Sequence, residues 1–223
     1  MRKPTVALLI PALDEETSLR RLLPDLIAQA DEVVVSDGGS TDATVAVSQA
    51  AGARVVVGPR GRGGQLNRAA AAAGSDVFLF LHADTELPTD GIERVRQAIR
   101  GGALGGGFEL AFATDRALLH FGARLINRRT RLTRTPLGDQ AQFVTREAFA
   151  ALGGYRDWPL LEDLDFARRL KAHGPVAILD AKVVTSPRRF ERLGVPRTIA
   201  TNWLIWGLFA LGVKPERLAR LYR

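Results

Sequence analysis

Val77-Phe78-Leu79-Phe80-Leu81-His82-Ala83-Asp84 is an unbroken apolar run that ends in two polar side chains. Runs of this kind are typical of strands in a parallel sheet that helices cover on both faces. Similar runs occur at residues 5–10, 32–36 and 54–57, and helical patterns separate all four at the spacing of βαβ units. The N-terminal part of the chain therefore predicts an α/β fold built around a parallel sheet.

Polar residues follow the predicted strands at the edge of the sheet where ligands bind in such folds. They are Asp14, Asp37, Arg62, His82 and Asp84. His82 and Asp84 point to the same side, because strand side chains repeat every two residues. An oxygen ligand beside a phosphate site suits magnesium or manganese. The structural alternative is that Asp84 caps the next helix and His82 is a core histidine.

The second half of the chain is of mixed character and shows no internal repeat. After a helix at residues 90–99, glycines lead into a strand at 108–113, a basic helical stretch at 116–131 and a strand at 140–145. Leu160-Leu161-Glu162-Asp163-Leu164-Asp165-Phe166 then places three carboxylates at the start of a helix, where they meet the positive end of its dipole. That stretch is either a structural helix start or an acidic site.

Length and composition limit the class of protein. With 223 residues, of which 46% are hydrophobic, the chain is long enough to form one domain around a sizeable core. It has no cysteine, which excludes disulfides, zinc-thiolate sites and thiol nucleophiles. The N-terminus lacks the pattern of a signal peptide, so we expect a cytoplasmic protein.

The net charge of +7 comes almost wholly from arginine, whose planar fork can bond two oxygens of a phosphate or carboxylate. Such a charge suits nucleic acid, an anionic membrane or a phosphorylated small molecule. Basic residues crowd 116–134 and 188–223, whereas acids follow the apolar runs, which indicates an acidic pocket inside a basic rim. Aromatic residues make up 7% and do not alternate with the basic ones, which argues against a nucleic-acid partner.

An apolar run at residues 203–213, followed by Arg217, Arg220 and Arg223, predicts a C-terminal helical tail. It is shorter than the ~20 residues that cross a bilayer. The tail either makes a peripheral contact with the inner face of the membrane or packs on the domain or on a second copy, as in a homodimer. Packing or dimerisation is the favoured alternative.

Two glycine-containing turns allow both a structural and a ligand-binding interpretation. Asp37-Gly38-Gly39-Ser40-Thr41-Asp42 is either a turn with a helix N-cap or a place where a carboxylate accepts from a nucleobase close to the backbone. Gly61-Arg62-Gly63-Gly64 resembles a phosphate cradle but lacks the lysine of a P-loop. The turn after the first strand is acidic and would repel a pyrophosphate, which disfavours a Rossmann dehydrogenase.

Taken in order, the motifs resemble glycosyltransferase family 2, whose enzymes have a GT-A fold and use nucleotide-sugar donors. The matching segments fall within residues 4–172 and are Pro11-Ala12-Leu13-Asp14-Glu15-Glu16, Asp37-Gly38-Gly39-Ser40-Thr41-Asp42, Gln65-Leu66-Asn67, His82-Ala83-Asp84, Gly153-Gly154-Tyr155 and Glu162-Asp163. The resemblance implies a Rossmann-like mixed sheet flanked by helices. We expect a GT-A domain at residues 1–190, with a nucleotide-binding half at about 1–100 and an acceptor half at about 101–190, and a helical tail at 191–223.

The resemblance also assigns roles to residues. It implies that Asp163 is the catalytic base, that Asp84 binds the magnesium or manganese ion bridging the donor diphosphate, and that Asp14, Glu15 and Asp37 border the nucleotide. The other candidate substrate- or nucleotide-binding residues are Pro11, Ala12, Arg62, Gln65, Asn67, His82, Ala83, Asp139, Glu162, Arg188 and Arg189. Of these, Arg188 and Arg189 are expected to face the diphosphate.

Two departures from the family pattern affect the expected chemistry. His82 stands where the usual Asp-x-Asp motif has its first carboxylate, which leaves one carboxylate for the metal. The Gln-x-x-Arg-Trp motif of processive synthases is absent after Asp163, which favours transfer of a single sugar. Gly138-Asp139-Gln140 and the arginine-rich tail resemble a short soluble bacterial subgroup, some members of which are tied to arsenosugar biosynthesis.

The sequence therefore leads to one main hypothesis and two alternatives. The hypothesis is inverting, non-processive transfer of a sugar from a nucleoside diphosphate sugar to an acceptor hydroxyl. A nucleotidyltransferase of similar fold would attack phosphorus instead of the anomeric carbon. A basic nucleic-acid-binding module is the alternative from another class.

Overall fold

The structure is a computed structural model that describes residues 2–221. The side chains at positions 189, 192, 196, 199, 203 and 210 are outside this description, although their backbone belongs to helices. The expectations for the Arg189, Trp203 and Arg223 side chains therefore lie outside the described residues.

Strands and helices alternate through most of the described chain. The strands are β1 (Val6–Ala12), β2 (Glu32–Asp37), β3 (Arg54–Val57), β4 (Val77–Phe80), β5 (Thr85–Glu86), β6 (Gly105–Phe112), β7 (Phe143–Thr145) and β8 (Val176–Thr185). The helices are α1 (Glu16–Gln29), α2 (Thr44–Ala50), α3 (Arg62–Ala72), α4 (Gly91–Arg100), α5 (Ala117–Thr133), α6 (Arg146–Ala151), α7 (Glu162–His173), α8 (Arg188–Leu193), α9 (Val195–Ala210) and α10 (Pro215–Leu221). A 3₁₀ turn at Gly138–Gln140 precedes β7.

The strands form one mixed sheet in the order β3-β2-β1-β4-β7-β6-β8-β5. The first four strands of the chain are parallel neighbours, as predicted. Strand β7 then runs antiparallel to both β4 and β6, whereas β8 runs parallel to β6. The parallel half and the mixed half meet at β4, so residues 82–84 leave the sheet at its centre.

Alternate side chains of each central strand enter two apolar cores on opposite faces of the sheet. Val77 and Leu79 of β4 lie in one core with side chains of α1, α4 and α5, and Phe78 and Phe80 lie in the other with side chains of α3, α6 and α7. Helices therefore cover both faces, which explains the unbroken apolar strands. Phe80 packs edge-on against Tyr155, with ring centroids 4.9 Å apart, and Tyr155 stacks on Phe166 of α7 at 4.3 Å. These aromatic contacts hold the start of α7 beside the end of β4.

The structure differs from the sequence-based expectation at β6, which begins at Gly105 and not at residue 108. A Cβ on Gly105 would overlap the carbonyl oxygen of Phe143, and one on Gly106 would overlap that of Ala177. The glycines are therefore part of the strand, because the neighbouring strands lie too close for side chains. Strand β8, which pairs with β6 along its length, was not predicted from the sequence.

Pro24 neither splits nor ends α1, which runs continuously through it. Its exposed position explains this, since solvent can satisfy the helix carbonyl that proline leaves without a donor.

The C-terminal helices pack on the domain next to the acidic start of α7. Ile205 of α9 and Leu218 of α10 are buried with Leu160, Leu161 and Leu164 in a third apolar cluster. These contacts show packing on the domain and leave contacts with a second copy or a membrane untested. Among residues 2–221, no helix is both long and apolar enough to cross a membrane.

Candidate active site

The turns after β1 and β2 are joined to each other by hydrogen bonds. Asp14 Oδ1 accepts from the Thr41 backbone N–H at 2.8 Å, and the Asp14 backbone N–H donates to Ser40 Oγ at 2.8 Å. Asp14 reaches this position through a left-handed backbone, with φ of 53°. The two turns therefore form one continuous wall at the carboxyl edge of the parallel strands.

Asp37 is buried and is held by its own turn. Its Oδ2 accepts from the backbone N–H groups of Gly39 and Ser40 at 2.8 and 3.0 Å, and the Ser40 hydroxyl donates to Oδ1. These bonds support the structural interpretation of the glycine turn. The contact of Asp37 with a nucleotide stays a prediction.

Two amides predicted as ligand contacts also connect backbone segments of the protein. The Gln65 amide donates to the carbonyl oxygens of Ala12 and Ser36, both at 2.9 Å, and is buried between β1 and β2. Asn67 donates to the Tyr155 carbonyl at 2.8 Å and accepts from the Tyr155 N–H at 2.9 Å. Both side chains shape the site by positioning loops. Pro11 and Ala12 belong to the end of β1, where the Ala12 carbonyl also accepts from the Gly38 N–H at 2.9 Å.

The end of β4 and the start of α8 meet across the open side of the site. Arg188 Nη2 lies 3.0 Å from Asp84 Oδ2 and 3.1 Å from Glu15 Oε2. One guanidinium therefore pairs with two carboxylates that follow separate strands, and it offsets one of their two negative charges. Ala83 is buried between the two polar residues of its motif. The structure thus brings the predicted residues Glu15, Asp84 and Arg188 together.

Asp163 stands at the start of α7 with both carboxylate oxygens fixed by backbone donors. Oδ2 accepts from the Gly138 N–H and Oδ1 from the Leu164 N–H, each at 2.7 Å. A Cβ on Gly138 would lie 3.1 Å from His82 Nε2 and 3.2 Å from Asp163 Oδ2, so His82 and Asp163 flank this glycine closely. A larger residue at position 138 would separate them.

Asp139, Glu162 and Asp163 form a group that we name the carboxylate cluster. Burial raises the pKa of Glu162 to about 7, and the neighbouring Asp163 charge adds to the effect. Burial also raises the pKa of Asp139 to about 6, again with a contribution from Asp163. Arg62 opposes both shifts, and its Nη1 lies 3.4 Å from Glu162 Oε1. Near neutral pH the carboxyl groups of Glu162 and Asp139 are therefore partly protonated. The cluster carries less negative charge than three ionised carboxylates would.

His82 is half-buried beside this cluster and is neutral at physiological pH. Burial, followed by the positive charge of Arg62, lowers its pKa to about 4, although Asp84 and Asp163 act in the opposite direction. A neutral imidazole with so low a pKa is a weak base. This low pKa gives no support to His82 as the group that accepts a proton.

Several supporting residues were missed by the sequence analysis. Gln142 donates to the Asp163 carbonyl at 3.0 Å and accepts from the Tyr155 hydroxyl at 2.7 Å. Arg129 donates to Gln140 Oε1 at 3.2 Å, next to Asp139. Two of these contacts involve a residue of a sequence motif. Tyr155 belongs to Gly153-Gly154-Tyr155, and Gln140 belongs to Gly138-Asp139-Gln140. For Arg129 we find no sequence signal that separates it from the other arginines of its helix.

A family model described as glycosyl transferase family 2 matches residues 7–135. Glucosyl-3-phosphoglycerate synthase of Mycolicibacterium paratuberculosis is 36% identical over 97 residues, which cover 38% of this chain and 30% of that protein. Beta-monoglucosyldiacylglycerol synthase of Synechocystis sp. is 26% identical over 201 residues, covering 76% of this chain and 41% of that protein. The matched region thus spans less than half of either relative.

Solved structures show the same architecture. Glucosyl-3-phosphoglycerate synthase from Mycobacterium tuberculosis, in complex with Mg²⁺ and UDP, has a TM-score of 0.61 at 20% identity and covers 82% of this chain and 70% of its own. Residues 1–349 of S. aureus TarS have a TM-score of 0.64 at 17% identity, covering 83% and 62%. These likenesses confirm the predicted GT-A fold with its mixed sheet flanked by helices.

Proposed function

The chain belongs to glycosyl transferase family 2, and from this we propose that it transfers one sugar, with inversion, from a nucleoside diphosphate sugar to an acceptor hydroxyl. The carboxylate of Asp163 is the observation that carries the proposal. It is fixed by two backbone N–H groups at 2.7 Å, beside the carboxyl ends of the parallel strands. A base for direct displacement needs this kind of fixed position.

Asp163 accepts the proton of the acceptor hydroxyl in the proposed step. The acceptor oxygen forms a bond to the anomeric carbon as the bond from that carbon to the diphosphate oxygen breaks. The diphosphate leaves with the electron pair, and attack from the opposite face inverts the anomeric centre. Since both Asp163 oxygens already accept from backbone N–H groups, the base needs no further side chain to orient it.

The donor is proposed to lie against the wall formed by the β1 and β2 turns. Asp14, Glu15 and Asp37 border its nucleoside, and Arg62 and Arg188 supply positive charge for the diphosphate. Arg62 Nη1 is 3.4 Å from Glu162, and Arg188 is held by Glu15 and Asp84. UDP is the first donor nucleotide to test, because it is bound in the solved synthase.

A divalent ion, magnesium or manganese, fits this site only together with the nucleotide. Among residues 2–221, no three carboxylate or imidazole side chains are grouped as metal ligands. Asp84 offers one carboxylate, and magnesium is commonly held by one or two carboxylates and substrate phosphates. Asp84 would hold the ion after releasing Arg188, and the bound ion would offset charge on the diphosphate. The Mg²⁺ of the synthase structure with UDP supports this proposal.

The number of sugars transferred and the division of the chain into halves are proposed from the sequence motifs. Single-sugar transfer follows from the absent Gln-x-x-Arg-Trp motif, and the division at about residues 100 and 190 follows the order of the motifs. The arsenosugar-associated subgroup and the cytoplasmic location stay predictions. A homodimer or a peripheral membrane contact through the tail also stays a prediction.

Product analysis separates this proposal from its alternative within the fold. We expect wild-type protein, incubated with a panel of nucleoside diphosphate sugars and hydroxyl acceptors, to release nucleoside diphosphate and form a glycoside. A nucleotidyltransferase would instead release pyrophosphate in a parallel incubation with a nucleoside triphosphate and a sugar phosphate. Pyrophosphate as the only product, or no binding of any nucleoside diphosphate, would refute the proposed reaction.

A further inference from the structure

A basic cavity lies between α5, α7 and α9. Its volume is about 420 Å³, within the range of small-molecule pockets. The lining residues that matter here are Arg129, Thr133, Thr135, Arg168, Lys171 and Trp206. None of the residues lining the cavity is acidic.

Two of the three cations that line this cavity, Arg168 and Lys171, are not neutralised within the described part of the chain. Arg169, next in sequence, pairs with Asp165 at 2.7 Å, whereas Arg168 lies over the Phe209 ring at 5.4 Å. Neither Arg168 nor Lys171 has a carboxylate partner among the described residues. Clustered cations without counter-charges favour a bound anion.

Arg129 is the innermost of these cations and has unused donor capacity. Its Nη2 donates to the Thr135 carbonyl at 3.1 Å and to Gln140, but its buried Nε has no partner among the described residues. Burial lowers the pKa of this guanidinium, which shows that its charge is poorly solvated. An anion in the cavity would offset this poorly solvated charge.

The cavity adjoins the proposed base. Leu164, which directly follows Asp163, lines it. Arg129 is also close enough to Asp139 and Asp163 for their charges to affect its own pKa. A small ligand held in the cavity could therefore extend a hydroxyl toward the carboxylate cluster.

We propose that this cavity binds a phosphate or carboxylate group of the acceptor, so that the substrate class is an anionic alcohol. The inference rests on the proposed function, since it places the acceptor of that same reaction. Arg129, Arg168 and Lys171 bind the anion, and the two threonine hydroxyls lie beside it. Trp206 covers the apolar side of the cavity and contacts Arg129, whose Cζ is 5.0 Å from the ring centroid.

Calorimetry with three small alcohols tests the proposal. Glycerol is neutral, glycerate carries a carboxylate, and glycerol 3-phosphate carries a phosphate, so the comparison also tells the two anions apart. We expect wild-type protein, with and without saturating UDP, to bind at least one anion about tenfold or more tighter than glycerol. Equal binding of all three compounds would overturn the inference.

Charge-matched variants show whether the cavity is responsible. The double variant Arg168→Gln/Lys171→Gln should lose most of the preference for the anion, on the order of tenfold in affinity. The control Lys182→Gln/Lys214→Gln removes two exposed charges elsewhere and should keep the preference. Equal losses in both variants, or no loss in either, would refute the cavity as the anion site. UDP binding is measured in every variant, and its absence in wild type would count against the proposed function and not against the anion site.

Discussion

Arg188 Nη2 lies 3.0 Å from Asp84 Oδ2, and the same nitrogen lies 3.1 Å from Glu15 Oε2. The start of α8 thus places a cation against the carboxylate that the family pattern assigns to a metal. The pair is partly exposed, with 55% of the Arg188 side chain and 26% of the Asp84 side chain accessible. An ion pair this exposed contributes little to the free energy of unfolding. Its relevance is the positive charge that Arg188 places beside Asp84.

The first prediction concerns Arg188→Gln. Removing the guanidinium takes a positive charge from the proposed diphosphate site, so UDP binding in chelator should weaken about tenfold or more. It also releases Asp84, so added magnesium should restore more of the binding than in wild type. Calorimetry with and without metal measures both effects. Arg100→Gln, which removes a remote surface pair with Glu93, is the control. Unchanged binding of UDP in chelator would show that Arg188 does not face the diphosphate.

The second prediction concerns Asp163→Asn. The amide oxygen can still accept from one of the two backbone N–H groups, whereas the amide NH₂ cannot accept from the other, and the side chain can no longer take a proton. Transfer should fall by roughly 10²-fold or more while donor affinity stays nearly unchanged. Asp165→Asn is the control, because Asp165 is engaged by Arg169 and Arg156 and not by the proposed acceptor. A variant with near-wild-type transfer would remove Asp163 from the mechanism.

The third prediction concerns the pH dependence that Glu162 gives to folding. Its pKa is about 7 when folded, against an ordinary value of 4.5. Between these values the unfolded chain has lost the proton that the folded chain retains, so the free energy of unfolding falls as pH rises. Glu162→Gln removes this loss and should raise the free energy of unfolding at pH 8 by about 1 kcal/mol or more.

Urea unfolding of both proteins across pH 4–8 checks this prediction. The difference between Glu162→Gln and wild type should shrink as pH falls and be smallest below 4.5, where the carboxyl is protonated in both states. A difference that is constant with pH, or that favours wild type at pH 8, would show that the Arg62 pairing outweighs burial.

The fourth prediction concerns the glycines of β6. Gly106→Ala should lower the free energy of unfolding by about 1–3 kcal/mol, because its Cβ would overlap the Ala177 carbonyl and force β6 and β8 apart. Gly122→Ala is the matched control inside α5, where nothing lies within 4 Å of the added Cβ. It should be neutral or stabilising by up to about 1 kcal/mol, since alanine favours helices. Equal effects in thermal or urea unfolding would refute the packing argument.

Prediction from sequence worked best where structure is local. The apolar runs of β1 to β4 and the helical patterns between them depend on side-chain periodicity, which is visible in the chain itself. It failed at β8, where the exposed polar residues Asp180 and Lys182 interrupt the apolar pattern, and at the start of β6, where glycine is normally a poor strand former. The two strands form backbone hydrogen bonds with each other. Pairing between segments so far apart in the chain leaves no pattern in the local sequence.

The sequence by itself determined the parallel half of the sheet, the polar residues at its carboxyl edge and the family whose motifs they match. Only the tertiary structure decided that Arg188 meets Asp84 across 104 positions of the chain, and that Gln65 and Asn67 position loops. It also decided that Gly138 and Leu164 both donate to Asp163. The reason is physical: periodicity and turn preference act over a few residues, whereas hydrogen bonds and ion pairs between distant segments depend on how the whole chain packs.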